Sequence, residues 1–240
     1  TPYKDGKGDI VRELSDACKK YGIKFAVYLS PWDRHQANYG TLEYVDYFYK
    51  QLNELLTNYG DVFEIWFDGA NGGDGWYGGA KDVRTIDRKT YYDYPRAYKM
   101  IDELQPQAVI FSDGGPGCRW VGNESGFAGA TNWSFLRAGE VYPGYPKYRE
   151  LQYGHADGNQ WVAAECDVSI RPGWFYHPEE DDKVKTVDQL TDLYYRSVGH
   201  NATLLLNFPV DRNGLIHPTD SLNAVSFHQR VQKELADNLL

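Results

Sequence analysis

An aspartate stands at the end of the apolar run 62–67, where the chain reads Trp66-Phe67-Asp68-Gly69. Side chains alternate between the two faces of a strand, so Trp66 and Asp68 share one face while Phe67 lies on the other. A carboxylate there is poorly solvated unless it faces a site, which makes Asp68 a candidate for acid–base or nucleophilic chemistry. The alternative is that Asp68 caps the following loop or a helix N-terminus.

A glutamate in a glycine-containing loop is the second candidate. Glu124 lies within Arg119–Gly126, which reads RWVGNESG and places a tryptophan close by. A carboxylic acid beside aromatic rings can keep its proton near neutral pH and act as a general acid. The alternative is a solvated loop glutamate without a chemical role.

Polar residues also gather in and after the apolar segment 160–167. Glu165 and Asp167 fall on one strand face, and Arg171 is near enough in sequence to pair with either carboxylate. That pair could equally be a structural ion pair. Trp174 offers a flat apolar face of the kind that stacks on the C–H groups of a sugar.

A tyrosine lies near the end of the apolar run 25–29, which Ser30 and Pro31 terminate. Alternation puts Tyr28 and Ser30 on one strand face. The phenol of Tyr28 either donates a hydrogen bond to a nearby carboxylate or belongs to the core.

Several other chemistries lack their motifs. The sequence has no GxSxG nucleophile elbow, HExxH zinc motif, EF-hand spacing or phosphate-binding glycine loop. Its three cysteines, Cys18, Cys118 and Cys166, show no CxxC spacing. The sequence therefore predicts no metal site and no cofactor.

Composition narrows the class of partner. The 25 basic and 34 acidic side chains give a formal charge of −9. The chain therefore lacks the excess of basic residues that is typical of a nucleic-acid-binding protein. No apolar run approaches the roughly 18 residues of a membrane span. The chain holds 7 Trp, 20 Tyr and 10 Phe. Many aromatic residues together with many acids are typical of sugar-binding surfaces, although aromatic rings also fill cores.

Helical and extended patterns alternate along the 240 residues. Apolar spacing predicts helices near 9–21, 41–59, 90–104, 186–199 and 219–238, and strands near 25–29, 62–67, 108–111, 128–133, 160–167 and 203–208. Strands that are almost wholly apolar indicate a parallel sheet covered on both faces. An open doubly wound sheet and a (β/α)8 TIM-like barrel both fit, and the lack of a GxGxxG fingerprint favours the barrel.

Carboxylates and aromatic rings at the ends of barrel strands suit glycoside hydrolysis, in which two carboxyl groups flank the bond that breaks. Five stretches of the sequence then resemble the α-L-fucosidases of glycoside hydrolase family 29. They are Gly22–His35, Leu55–Gly69, Arg119–Gly126, Ala164–Tyr176 and His200–Gly214.

The resemblance implies roles for individual residues. Asp68 matches the nucleophile of the family. Glu124 matches the acid/base of the subfamily that cuts α-1,3 and α-1,4 fucosyl branches of Lewis-type glycans. Matches near the bound sugars are Tyr28, Trp66, Glu165, Asp167, Arg171 and Trp174.

The resemblance also implies what surrounds the site. The family's His-His-Asp-Gly element, which holds fucose hydroxyls, does not occur in the sequence. We therefore expect residues 1–240 to form the C-terminal three quarters of a single catalytic barrel domain, with the first two or so strands absent.

The expected function is that of a retaining exo-glycosidase, an α-L-fucosidase acting on a fucosylated oligosaccharide or glycoconjugate. Another retaining exo-glycosidase on the same barrel and a non-catalytic carbohydrate-binding barrel are the alternatives. Because such glycans lie outside cells, we expect a secreted or periplasmic protein.

Overall fold

The computed structural model describes residues 3–68 and 74–237. The chain divides into two compact units, which are described in turn. The first comprises Thr1–Cys118 and Gly139–Pro146, and the second comprises Arg119–Ala138 and Lys147–Leu240.

The first unit alternates helices with strands. Its helices are α1 (Ile10–Tyr21), α2 (Leu42–Asn58) and α3 (Tyr94–Leu104), and its strands are β1 (Ala26–Tyr28), β2 (Glu64–Trp66), β3 (Gly75–Tyr77), β4 (Asp82–Arg84) and β5 (Val109–Ser112). Strands β1, β2 and β5 pair in parallel, in that order, whereas β3 and β4 form an antiparallel hairpin. The parallel register aligns Tyr28, Trp66 and Phe111 across the three strands.

The alternation that the sequence predicts around Asp68 is confirmed. Ile65 and Phe67 are buried at 0% and 2% exposure and belong to the same core cluster as Phe48 and Leu52 of α2. Trp66 and Asp68 are only half-buried. The apolar face of β2 thus anchors the strand to the core, and its other face carries the polar end.

The second unit is built in the same way. Strand β6 (Cys118–Trp120) begins on the last residue of the first unit, and β7 (Phe135–Leu136), β8 (Gln160–Trp161), β9 (Ala163–Ser169) and β10 (Ala202–Asn207) follow, with helices α4 (Val187–Ser197) and α5 (Pro218–Glu234). Strands β9 and β10 pair in parallel, so Glu165 lies beside Thr203 and Ser169 beside Asn207. A capping box between Thr186 and Gln189 starts α4.

All five predicted helices are confirmed, and so are five of the six predicted strands, with small differences at their ends. The strand expected over 128–133 is wrong. There the backbone N–H groups of Ala128 and Gly129 donate to Arg196 and Gln152, which are scattered partners and not a neighbouring strand. A strand forms instead at β6. Residues 69–73 lie outside the described residues, and 75–77 form β3.

Within each unit the strands of the main sheet follow one another in chain order, β1-β2-β5 in the first and β6-β9-β10 in the second. A doubly wound sheet reverses its strand order at a switch point, whereas a barrel continues in one direction. The observed order therefore fits part of an α/β barrel. Over the described ranges, every helix is too short or too polar to cross a bilayer.

Candidate active site

The carboxyl group of Asp68 is held by a tyrosine on the neighbouring strand. The hydroxyl of Tyr28, the last residue of β1, donates a hydrogen bond to Oδ2 of Asp68. Burial of the hydroxyl, and then this hydrogen bond, raise the pKa of Tyr28, so the phenol stays protonated and acts as the donor. Of the two interpretations that the sequence leaves open for Tyr28, the structure shows the hydrogen bond to a carboxylate.

The ring of Tyr28 is held in turn by a stack of aromatic side chains. The ring of Tyr28 stacks on Trp66 with a centroid distance of 5.6 Å, and Trp66 stacks on Phe111 at 3.9 Å. The hydroxyl of Ser30 lies 3.1 Å from the backbone carbonyl oxygen of Asp68 and donates to it. Side chain and backbone of Asp68 are thus both fixed from β1 and the residues after it.

A second carboxylate follows β5 as Asp68 follows β2. Extending the pairing of Trp66 with Phe111 by two residues brings Asp113 beside Asp68. Oδ2 of Asp113 accepts a hydrogen bond of 2.7 Å from the N–H of Gly144. Burial raises the pKa of Asp113 to about 6, and the charge of Asp68 acts in the same direction. Asp113 can therefore hold a proton at mildly acidic pH.

Glu124 lies in a loop whose backbone is fixed at both ends. Gly122 and Gly126 have φ of +81° and +79°, and a Cβ atom on Gly122 would lie 2.2 Å from the carbonyl oxygen of Tyr148. Between them, Asn123 accepts from the N–H of Ser125 at 3.0 Å. The loop presents an exposed Glu124 on a defined backbone.

Trp174 contacts the carboxyl group of Glu124. Its indole Nε1 donates to Oε2 of Glu124 at 3.2 Å. Both side chains line a small cavity of about 70 Å³, together with Ser169 and Lys185. Two residues that the sequence predicted for different roles, an acid and a sugar-stacking ring, are therefore in direct contact.

Asp167 is a buried carboxyl group close to Glu124. It is 3% exposed, and its Oδ1 accepts a hydrogen bond of 2.7 Å from Nε1 of Trp120. Burial raises the pKa of Asp167 to about 7, and the charges of Glu124 and Glu165 contribute in the same direction. Asp167 is thus partly protonated at neutral pH.

Glu165 lies two residues before Asp167 on β9 and is also buried, at 7% exposure. The hydroxyl of Thr203 on β10 donates to Oε2 of Glu165 at 3.2 Å. Glu165 and Asp167 thus lie close together on β9, and the charges of Glu165 and Glu124 both raise the pKa of Asp167.

The expected partner of Arg171 is wrong. Its guanidinium is fully buried and binds Asp220 on α5 in a bidentate pair, with distances of 2.8 and 2.9 Å, and Asp181 at 2.9 Å. Glu165 and Asp167 lie on β9 itself, whereas Arg171 has passed the end of the strand and turned towards the N-terminus of α5. The assignment of Arg171 to a sugar site stays a prediction.

Sequence reasoning missed two polar residues at strand ends, one in each unit. Asp113 follows the apolar residues of β5 and precedes Gly114, which is the same pattern that singled out Asp68. Asn207, at the end of β10, donates to Ser169 and to the backbone of Trp174. No local pattern marks Asn207, because its partners are more than 30 residues away.

Fold and site together define a class of α/β protein in which carboxylates and aromatic rings meet at the carboxyl ends of parallel strands. The sequence model of the alpha-L-fucosidase family matches residues 3–226. The chain therefore belongs to the α-L-fucosidase family.

Individual relatives are similar over nearly the whole chain. Alpha-L-fucosidase 1 of Arabidopsis thaliana is 44% identical over 99% of this chain and 44% of its own length. A glycoside hydrolase 29 family member from an unknown rumen bacterium is 57% identical, with a TM-score of 0.88 over 96% of this chain and 41% of the other. A Ruminococcus gnavus GH29 fucosidase in complex with fucose is 30% identical, with a TM-score of 0.78 over 98% of this chain and 50% of the other. The chain thus spans less than half the length of the curated relative.

Proposed function

We propose that this chain carries the catalytic carboxylates of a retaining α-L-fucosidase. The observation that carries the proposal is the hydrogen bond from Tyr28 to Asp68 at the carboxyl end of a parallel strand, in a chain of the α-L-fucosidase family. Membership of the family supports fucose as the sugar that is bound. The fixed position of the Asp68 carboxylate supports its role as the nucleophile.

In the first step, Oδ1 of Asp68 attacks the anomeric carbon of the fucosyl residue. The bond from that carbon to the glycosidic oxygen breaks, and Glu124 gives its proton to the departing oxygen. The products of this step are a fucosyl ester on Asp68, an ionised Glu124 and the free alcohol. Tyr28 holds Oδ2, which keeps the attacking oxygen in one orientation.

In the second step, Glu124 takes a proton from water, and the water oxygen attacks the same anomeric carbon. The ester bond breaks, and Asp68 leaves as a carboxylate. Two inversions at one carbon release α-L-fucose with its original configuration. Retaining chemistry requires the two carboxyl groups to lie about 5–5.5 Å apart across the bound sugar.

The finer substrate class is proposed as the α-1,3 and α-1,4 branches of Lewis-type glycans. The motif around Glu124 supports it, with Glu165 and Asp167 as the proposed contacts to the branch sugar. Trp66 and Trp174 would then stack on sugar faces. We further propose that these β/α units belong to a closed (β/α)8 barrel and that the protein acts outside the cytoplasm, where such glycans occur.

A fluorogenic aryl α-L-fucoside tests the activity in the intact protein. We expect turnover of the fucoside and none of aryl β-galactosides or α-glucosides. Turnover of another glycoside alone would favour a different retaining exo-glycosidase, and sugar binding without turnover would favour a carbohydrate-binding barrel. Proton NMR of the first product distinguishes retention from inversion, and Lewis-type trisaccharides compared with α-1,2 and α-1,6 fucosides test the linkage.

A further inference from the structure

Asn207 occupies a position that couples the end of one strand to the loop after its neighbour. It is the last residue of β10 and lies beside Ser169, the last residue of β9. Its Nδ2 donates to the hydroxyl of Ser169 at 3.0 Å and to the backbone carbonyl oxygen of Trp174 at 3.1 Å. One side chain thus bridges the strand end and the loop that carries the tryptophan.

Between these two contacts, Ile170 and Arg171 are buried, whereas the two residues that follow them are not. Pro172 and Gly173 precede Trp174, and a Cβ atom on Gly173 would meet no other atom within 4 Å. Glycine in open space imposes little restraint on the backbone. Over the part of the chain that the structure describes, the amide of Asn207 supplies the hydrogen bond that holds the carbonyl of Trp174 relative to β9.

The other end of Trp174 contacts the proposed acid. Its indole Nε1 lies 3.2 Å from Oε2 of Glu124, while its backbone is held by Asn207. An indole N–H can only donate, and a carboxyl oxygen can accept, so the contact aligns the carboxyl group of Glu124. A chain of contacts thus leads from Asn207 through Trp174 to Glu124.

We propose that Asn207 is a positioning residue for general acid catalysis, acting on Glu124 through Trp174. The proposal rests on the proposed function, because it takes Glu124 to be the acid. Proton transfer to a leaving oxygen needs a donor within hydrogen-bond reach, and a displacement of about 1 Å costs about 100-fold in rate. Asparagine is suited to this role because its amide supplies two donors to two different acceptors.

The chain offers a matched control at the opposite end of the same strand. Asn201 directly precedes β10, and its Nδ2 also donates to one serine hydroxyl, that of Ser134 at 2.9 Å, and to one backbone carbonyl, that of Asn132 at 3.0 Å. Its φ of +60° suits glycine. Asn207→Ala and Asn201→Gly therefore each remove two hydrogen bonds, one to a serine hydroxyl and one to a backbone carbonyl. Only those of Asn207 involve Trp174.

The first measurement compares an unactivated fucosyl disaccharide with an aryl fucoside that has a good leaving group. We expect Asn207→Ala to lower kcat about 10- to 100-fold on the disaccharide and only about 2- to 3-fold on the aryl fucoside, which needs little protonation. Asn201→Gly should leave the ratio of the two substrates unchanged. Equal losses on both substrates in Asn207→Ala, or the same change of ratio in Asn201→Gly, would overturn the proposal.

A double-mutant cycle with Trp174→Phe tests whether Asn207 acts on Glu124 through Trp174. Phenylalanine keeps the ring but lacks the N–H, so Asn207→Ala should cause no further loss on the disaccharide in that background. Additive losses would mean that Asn207 does not act through Trp174. If Asn207→Ala does not fold, Asn207→Asp keeps the shape without a donor for the carbonyl of Trp174 and takes its place in both measurements.

A crystal structure of the Asn207→Ala variant gives a readout that is independent of activity. We expect the indole of Trp174 to leave Glu124, so that their separation exceeds the 3.2 Å of the native arrangement. An unchanged contact would overturn the proposal. Absence of fucoside turnover in the unsubstituted protein would instead refute the proposed function, and the crystal structure would still report on Asn207.

Discussion

The hydroxyl of Tyr28 donates a hydrogen bond to Oδ2 of Asp68, and the two residues lie on or just after neighbouring parallel strands. The register between β1 and β2 sets this relationship, because Tyr28 aligns with Trp66 and Asp68 follows two residues later. A carboxylate placed by strand register needs no loop movement to reach its position. This rigidity suits a nucleophile, whose attacking oxygen must meet one carbon atom.

Tyr28→Phe tests the contribution of this hydrogen bond. We expect kcat on an aryl fucoside to fall about 10- to 100-fold, because Asp68 loses the donor that orients its carboxyl group. Tyr47→Phe is the control, since its hydroxyl accepts a hydrogen bond from Gln51 on the surface of α2. A kcat within twofold of the native value in Tyr28→Phe would contradict the orienting role.

Asp68→Asn should remove nearly all turnover, by about 10⁴-fold or more, because an amide does not form the fucosyl ester. Calorimetric titration with fucose should still show binding, since the side chain keeps its size. Asp61→Asn, an exposed substitution before the same strand, is expected to leave turnover unchanged. Substantial activity in Asp68→Asn would remove Asp68 as the nucleophile.

Local sequence patterns predicted those candidate residues that are positioned by a single strand. Asp68 was predictable because a single strand, β2, places it, and the same pattern at Asp113 would have indicated the second carboxylate. The partner of Arg171 was not predictable, since Asp220 lies 49 residues further along the chain. The strand β6 was not predicted because one of its three residues is an arginine, which is rarely buried. Arg119 is buried here because its guanidinium donates to distant backbone carbonyls such as that of Leu151. Long-range pairing of polar groups leaves no periodic signal in a sequence.

Glu124→Gln separates the acid from the nucleophile. We expect Lewis-type oligosaccharides to be slowed far more than aryl fucosides, whose leaving groups need little protonation. In Glu124→Ala, added azide should partly restore turnover of the aryl fucoside, because azide attacks the fucosyl ester without a general base. Glu54→Gln on the surface of α2 serves as the control.

Equal slowing of both substrates in Glu124→Gln would mean that another carboxyl group supplies the proton. Asp113 would then be the next candidate, because its raised pKa of about 6 lets it hold a proton beside Asp68. Asp113→Asn would be expected to reproduce the leaving-group dependence in that case.

Arg171→Met should destabilise the protein by about 3–5 kcal/mol, because it leaves the carboxylate of Asp220 buried without its partner. Arg230 is the matched control, since it also pairs with two carboxylates, those of Asp188 and Glu234, but on the surface. Arg230→Met should therefore lower the free energy of unfolding much less than Arg171→Met does. Urea denaturation measures both. A small loss in Arg171→Met, together with a raised KM, would favour a direct sugar contact over the structural role.

The stability of the protein should depend on pH through Asp167. Its pKa is raised from 3.8 to about 7 by burial, so between these values the folded chain binds a proton that the unfolded chain does not. The stability that this group contributes is fully present below pH 4 and is lost as pH rises through 7. Asp167→Asn keeps an acceptor for the indole of Trp120 but does not titrate.

We therefore expect the free energy of unfolding of Asp167→Asn, relative to the native protein, to increase between pH 4 and pH 7 and to level off above that range. Asp157→Asn should show the opposite sign. The hydrogen bond from Arg137 lowers the pKa of Asp157, so its contribution is present at neutral pH and is lost as pH falls. Urea denaturation at pH 4.5, 6 and 8 measures the difference for Asp167→Asn, and the same experiment at pH 3 and 4.5 measures the difference for Asp157→Asn, whose pKa is lowered from 3.8. A pH-independent difference for Asp167→Asn would mean that Asp167 is ionised over this whole range and that burial does not raise its pKa.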